Sequence, residues 1–283
     1  MSRIENSPRY AVIGNPIAHS MSPRIHALFA DSLGQTIRYE KRLSPLDDFA
    51  GELQRFRVEG GMGANVTVPF KQEAFALAGE ASLRAQQAGA ANFLMWREGH
   101  WFCDNTDGVG LVRDITVNLR QPLADKSVLL IGAGGAARGV LGPLLLCKPS
   151  RVIVVNRSVA RAIELIAPHA QSHSVHAQAI ETLTGSSAQF DIVINATSSS
   201  LTDALPLPAD AEIFSNDCLA YDMMYGRGAT AFMSWARVQG AARVCDGLGM
   251  LVEQAAESYA QWRGCLPHAV PIIALLRAEI AAS

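Results

Sequence analysis

The chain has 283 residues, 49% of them hydrophobic and 18% charged, and its 24 Lys+Arg against 26 Asp+Glu give a formal net charge of −2. This length favours two hydrophobic cores over one, and the composition excludes a disordered or fibrous chain. No Lys/Arg block marks a nucleic acid or an anionic membrane as a partner, and no apolar run reaches the roughly 20 residues needed to span a bilayer. The start, MSRIENSPRY, has no apolar signal core, so a cytoplasmic location is expected. The five cysteines (Cys103, Cys147, Cys218, Cys245, Cys265) are scattered, without a CxxC pair, and read as reduced and structural. His169, His173 and His176 are spaced like metal ligands but have no carboxylate or thiol beside them, so no metal is expected.

In chain order, the pattern predicts a strand over 10–13, a helix from about Pro23, a strand over 37–43 and a helix from about Pro45. A glycine-rich turn (Gly60, Gly61, Gly63) leads into a strand over 64–68, which Pro69 stops. Segments 92–96 and 100–103 read as a hairpin around Glu98-Gly99, followed by a helix from Asp107 to about Leu119. After a polar linker at 121–126 come a strand at 128–131, a helix at about 136–147, a strand at 152–155, a helix at about 159–167 and a strand at 192–194. Helices over about 248–262 and 270–281 close the chain. The expected fold is α/β and two-lobed: an N-terminal α/β catalytic domain over 1–107, completed by 246–283, with a Rossmann-type dinucleotide-binding domain over 108–245. The active site is expected in the cleft between them. Hinges at Gly108 and Gly247 would make substitutions there alter both kcat and KM.

The run from Gly132 through Ala133, Gly134, Gly135 and Ala136 to Ala137 matches GxGxx(G/A) between a strand and a helix, the context a dinucleotide fingerprint requires. A tight turn at Gly132 and a bare backbone at Gly134 let a pyrophosphate approach the helix N-terminus. At the end of the next strand an NAD enzyme usually carries an acidic residue for the ribose hydroxyl. Here stand Asn156, Arg157, Ser158 and, four residues after Arg157, Arg161, which suit a 2′-phosphate and so NADP. A methyltransferase reading of the glycine turn lacks the acid it needs at the same place.

The N-terminal half carries small polar residues beside turns: GNPIAHSMSP from Gly14 to Pro23, GANVTVPFK from Gly63 to Lys71, Asn92, and DNTDGVG from Asp104 to Gly110. Further on come NATS from Asn195, YDMMY from Tyr221 to Tyr225 and DGLGMLVEQ from Asp246 to Gln254. These blocks, in one order over nearly the whole chain, closely resemble the shikimate dehydrogenase family. The resemblance implies reduction of 3-dehydroshikimate to shikimate with NADPH, in chorismate and aromatic amino-acid biosynthesis. It also implies that Ser20, Ser22 and Tyr225 hold the carboxylate, that Asn65, Thr67, Asn92, Asp107 and Gln254 serve the ring hydroxyls, and that Thr197, Met223 and Gly247 line the cofactor. Lys71 is the best candidate acid for the forming alkoxide, with Asp107 its partner. Three positions depart from the family pattern: Leu83 where an acidic residue is common, Phe93 where Thr is, and Ser200 where Gly is. The nearest rival is a quinate or quinate/shikimate dehydrogenase. A rival of another class is a catalytically silent nucleotide-binding regulator on the same fold; retention of Lys71 and Asp107 speaks against it. The expected partner is a small molecule, with room for a homodimer.

Overall fold

The computed structural model describes residues 7–185, 188–199 and 204–282. Position 200, one of the three departures, lies outside them. The N-terminal sheet comprises β1 (Arg9–Gly14), β2 (Arg38–Leu43), β3 (Gly61–Val66), β4 (Glu80–Ala81), β5 (Phe93–Arg97) and β6 (His100–Asp104), in the order β2-β1-β3-β5-β6-β4. β1 lies parallel to β2 and β3, while β5 runs antiparallel to β3 and β6. Covered on both faces, β1 is apolar from Tyr10 to Ile13, as a central parallel strand must be.

The second sheet comprises β7 (Ser127–Ile131), β8 (Arg151–Asn156), β9 (Val175–Ala179), β10 (Phe190–Asn195), β11 (Phe214–Asp222) and β12 (Arg243–Cys245). Its order is β12-β11-β10-β7-β8-β9, and all its pairings are parallel. The order reverses between β7 and β10, so a crevice opens there at the carboxyl ends of the strands, the place where such sheets bind ligands. Apolar cores fill both faces of this sheet.

The helices are α1 (Ser22–Ser32), α2 (Phe49–Val58), α3 (Lys71–Leu77), α4 (Leu83–Ala88), α5 (Asp107–Arg113), α6 (Gly135–Leu146), α7 (Val159–Ile166), α8 (Ala231–Val238), α9 (Leu248–Arg263) and α10 (Ala269–Ala282). A separate core joins α1, through Ile25, Phe29 and Ala30, to α9 and α10. Among the described residues no helix is long and apolar enough to cross a membrane.

Several boundaries differ from the sequence reading. The helix expected from Pro45 begins at Phe49, because Asp48 caps it by accepting from the Gly51 N–H at 3.0 Å. The strand expected over 64–68 is displaced to Gly61–Val66. The helix expected to run to Leu119 is α-helical only to Arg113, then makes a π-helical turn over Asp114–Asn118. There Thr116 Oγ1 bonds back to the Val112 carbonyl at 2.7 Å, and the buried Asp114 accepts from Tyr221 Oη at 2.6 Å. β4, α4, β9, β11, β12 and α8 have no counterpart in the sequence reading.

Glycines 108 and 247 do not have positive φ; close approach demands them. A methyl on Gly108 would lie 2.4 Å from Pro143 Cγ and 2.5 Å from the Gly139 carbonyl oxygen, and one on Gly247 would lie 2.2 Å from the Met223 carbonyl oxygen. Gly108→Ala therefore has to push α5 off α6, and a loss of roughly 1–3 kcal/mol is expected for such overpacking. Urea denaturation reads it; an unshifted midpoint would show that the two helices part freely.

His26 of α1 is fully buried against Tyr39, with ring centroids 4.2 Å apart and planes 10° from parallel. Burial pushes its pKa down to about 3, so the folded protein holds the ring neutral. Below about pH 6.5 the unfolded chain binds a proton that the folded chain refuses, so this contribution is lost as pH falls from there towards 3. Between about pH 7.5 and 5.5 the loss is expected to be roughly 1–2 kcal/mol more in the natural protein than in His26→Phe. Equal slopes for the two proteins would remove His26 as the cause.

Candidate active site

The carboxyl ends of β1 and β3, the start of β5 and the end of β6 converge at one end of the strands of the N-terminal sheet. The Thr67 N–H donates to the Ile13 carbonyl at 3.0 Å, the Val66 N–H to Asn92 at 2.9 Å, and the Ala91 N–H to Lys71 at 2.8 Å. These bonds lock the segments that carry Thr67, Lys71 and Asn92 against one another, and the Asn92 N–H bonds the Asp104 carbonyl at 3.2 Å, which brings in the segment of Asp107. Lys71 opens α3 and reaches across to Asp107, the first residue of α5, with Nζ 2.5 Å from Oδ2. The lysine side chain keeps 20% of its surface open to solvent and the aspartate 9%, so the pair is largely buried yet reachable from solvent.

Asn92 is the hub beneath this pair. Its Nδ2 donates to Asp107 Oδ1 at 2.7 Å and lies 2.9 Å from Thr106 Oγ1 and 3.2 Å from Gln254 Oε1, while its Oδ1 accepts from the Thr106 N–H at 2.7 Å. Each Asp107 oxygen thus has a donor, Lys71 on one and Asn92 on the other. Asn65 is buried and its amide engaged: Nδ2 donates to the Asn92 carbonyl at 3.2 Å and to Ser258 Oγ at 2.9 Å, and Oδ1 accepts from Tyr39 Oη at 2.7 Å. Ser20 and Ser22 form a hydroxyl pair 3.2 Å apart at the start of α1. Tyr225 is half-buried, and burial raises its pKa, so it is a neutral hydroxyl donor at ordinary pH. Among the described residues, Thr67 and Tyr225 make no side-chain hydrogen bond into the Asn92 cluster, so their part in the site rests on position alone.

At the reversal point of the second sheet, Gly132 has φ +106, a conformation L side chains rarely adopt, and a methyl there would lie 3.0 Å from Thr197 Cγ2. Gly134 and Gly135 instead face open space, where a methyl would meet nothing within 4 Å. The N-terminus of α6 has no side-chain cap, so its first amides remain available to an anion. This bare cradle fits a dinucleotide pyrophosphate. Beyond β8, Asn156 Nδ2 bridges to the Ser158 carbonyl at 3.0 Å, and Arg157, Ser158 and Arg161 are exposed. Among the described residues neither arginine forms an ion pair, so both guanidiniums are free for a phosphate. Thr197 Oγ1 donates to Asn195 Oδ1 at 2.8 Å, and Asn195 Nδ2 donates to Asp222 Oδ1 at 3.1 Å, which ties the loops after β10 and β11 together. The Met223 N–H bonds the Asn195 carbonyl at 2.9 Å, and Gly247 lies directly on the Met223 backbone.

The two groups are joined through α5. Gly108, next to Asp107, packs on Gly139, one turn into the α6 helix whose N-terminus forms the cradle. Sequence reasoning missed Thr106, Ser258, Tyr39, Asn195 as an anchor and Asp222. Ser258 had a faint signal, four residues after Gln254 on the same face of α9. At the departures, Phe93 is buried and stacks on Trp262 at 5.1 Å, whereas Leu83 is 68% exposed at the start of α4. Among the described residues no group of three or more His, Cys, Asp or Glu could hold a metal ion.

A parallel sheet in this strand order, with a bare glycine cradle packed beside a lysine–carboxylate pair, defines a dinucleotide-dependent oxidoreductase. Family models match the chain in three stretches: a shikimate dehydrogenase substrate binding domain over 12–94, shikimate / quinate 5-dehydrogenase over 115–203, and a shikimate 5′-dehydrogenase C-terminal domain over 247–277. The chain belongs to the shikimate dehydrogenase family. It is 53% identical to a shikimate dehydrogenase (NADP(+)) of Nitrosospira multiformis over 97% of this chain and 98% of that one. Among solved structures it resembles an Ael1 enzyme from Pseudomonas putida, at 48% identity and TM-score 0.89, over 95% of this chain and 98% of the other. It also resembles shikimate 5-dehydrogenase from Thermus thermophilus, solved in complex with NADP(H) and shikimate, at 33% identity and TM-score 0.83, over 96% and 99%.

Proposed function

We propose that the chain is an NADP-dependent shikimate dehydrogenase, reversibly reducing 3-dehydroshikimate to shikimate on the route to chorismate and the aromatic amino acids. The observation that carries this reading is the Lys71–Asp107 pair, 2.5 Å apart and packed through α5 against the glycine cradle. NADPH, when bound, supplies the hydride to the ketone carbon. Gly132, Ala133, Gly134, Gly135 and Ala136 would hold its pyrophosphate, and Asn156, Arg157, Ser158 and Arg161 its 2′-phosphate, with Thr197, Met223 and Gly247 towards the nicotinamide.

Lys71 is fixed by one hydrogen bond to Asp107 and keeps two further N–H groups, one of which can meet the ketone oxygen. As that oxygen gains charge, Lys71 stabilises it and gives it a proton, then regains one from solvent through its exposed flank. Asp107, held by Asn92 on its other oxygen, keeps the ammonium aimed and accepts from a ring hydroxyl. Ser20, Ser22 and Tyr225 offer neutral hydroxyls to the carboxylate. Thr67, Asn92 and Gln254 complete the hydroxyl contacts. A site that pairs each substrate hydroxyl rejects analogues lacking one, since its own buried groups would be left unpaired.

In this reading residues 1–107 with 246–283 form the substrate domain and 108–245 the NADP-binding domain, supported by the separate sheets and by the core that joins α1 to α9 and α10. A cytoplasmic location and a homodimer belong to the same proposal, the latter read by light scattering. Oxidation of quinate is a second reading, favoured by the double name of the family model matched over 115–203. The test is the appearance of NADPH absorbance with shikimate or quinate as substrate, with NADP⁺ or NAD⁺ as acceptor. Turnover of shikimate with NADP⁺ is expected. Preference for quinate moves the chain to the second reading, and silence with every pair overturns both.

A further inference from the structure

Asn65 falls in the block that resembles substrate-binding residues, yet both of its amide hydrogens are taken by protein, one by the Asn92 carbonyl and one by Ser258 Oγ. It has no donor left for a ligand. Its oxygen accepts from the phenol of Tyr39 on the edge strand β2. The ring of that phenol is clamped: His26 stacks on it with centroids 4.2 Å apart, and Trp262 leans on it at 6.2 Å. Burial raises the Tyr39 pKa well above its ordinary value, opposed by a hydrogen bond from Ser22, so the phenol stays protonated and also neighbours the serine pair.

We propose that Tyr39 is a positioning residue for the substrate site, its phenol fixing the Asn65 carboxamide, which fixes the Asn92 main chain and so the side chain that orients Asp107. The chain of contacts runs Tyr39 Oη to Asn65 Oδ1 at 2.7 Å, Asn65 Nδ2 to the Asn92 carbonyl at 3.2 Å, and Asn92 Nδ2 to Asp107 Oδ1 at 2.7 Å. Tyr39 touches neither Lys71 nor the glycine cradle, so its influence falls on the substrate half of the site. Without the phenol hydrogen, Asn65 Oδ1 loses its donor, and the carboxamide is held on its nitrogen side alone, where it can shift and carry the Asn92 main chain with it. A displacement of the reacting groups by a fraction of an ångström to an ångström lowers rate steeply.

This inference rests on the shikimate dehydrogenase reading, and the test separates the two. Tyr39→Phe removes one oxygen and keeps the stacked ring. The purified variant and the natural protein are assayed for shikimate oxidation with varied shikimate and varied NADP⁺, beside thermal melting. Expected is a fall of about tenfold to a hundredfold in kcat/KM for shikimate, with KM for NADP⁺ unchanged and a folded melting transition. Unchanged kcat/KM in a folded variant overturns the inference while leaving the enzyme reading intact, and so does equal damage to the constants of both substrates. An inactive natural protein overturns the enzyme reading and this inference with it. If Tyr39→Phe does not fold, Ser258→Ala decides by the same split, because it takes away another tie of the Asn65 amide.

Discussion

Lys71→Ala is expected to lower kcat by roughly 10²–10⁴-fold, the range for removing a positioned general acid, while KM for NADP⁺ stays near its natural value. The ammonium meets Asp107 at 2.5 Å, and no other cation pairs with that carboxylate among the described residues. Its removal leaves no group to stabilise charge on the substrate oxygen. KM for shikimate should move much less, because the serine pair, Tyr225, Asn92 and Gln254 remain. Steady-state kinetics with each substrate varied in turn reads the split. A variant that keeps its natural kcat would remove Lys71 from the chemistry, and one that loses NADP⁺ affinity in step with kcat would make the lysine a structural residue.

The second large effect is expected at the cofactor. Replacing Arg157 and Arg161 together by Ala should raise KM for NADP⁺ by about tenfold to a hundredfold and leave the rate with NAD⁺ nearly untouched. A charge-assisted contact contributes roughly 1.5–3 kcal/mol, and two exposed guanidiniums belong at the low end because solvent screens them. Both arginines are exposed, and neither forms an ion pair among the described residues, so their loss breaks no internal bridge and the melting temperature should hold. Equal damage with NADP⁺ and NAD⁺ would mean that the arginines shape the loop after β8 instead of reading the phosphate.

The parts of the fold legible in the sequence were those written locally. The apolar runs of β7 and β8, the glycine turn between β7 and α6, and the Glu98-Gly99 hairpin each carry their signal within a few residues. β11 escaped because Ser215, Asn216 and Asp217 near its start read as a loop and break the buried run between Phe214 and Cys218. The π-helical turn was invisible because it depends on Tyr221 reaching Asp114 across 107 positions. At the site, Lys71, Asp107, Asn92 and Gln254 came from the motif blocks, and hydrogen bonds join all four. Tyr39 could not be read in advance, and Ser258 showed only its spacing from Gln254, since the contact from Asn65 to Ser258 spans 193 positions and no local pattern encodes it. Gly108 was legible as a position of consequence, but its close packing on Pro143 and Gly139 of α6 was not.

The most direct test of the account is a crystal structure of this protein grown with NADP⁺ and shikimate. The account predicts the shikimate carboxylate against Ser20, Ser22 and Tyr225 with the reacting hydroxyl at Lys71 and Asp107, the pyrophosphate on Gly134 and Gly135, and the 2′-phosphate at Arg157 and Arg161. Shikimate bound away from Lys71, or a dinucleotide that avoids the glycine cradle, would contradict it.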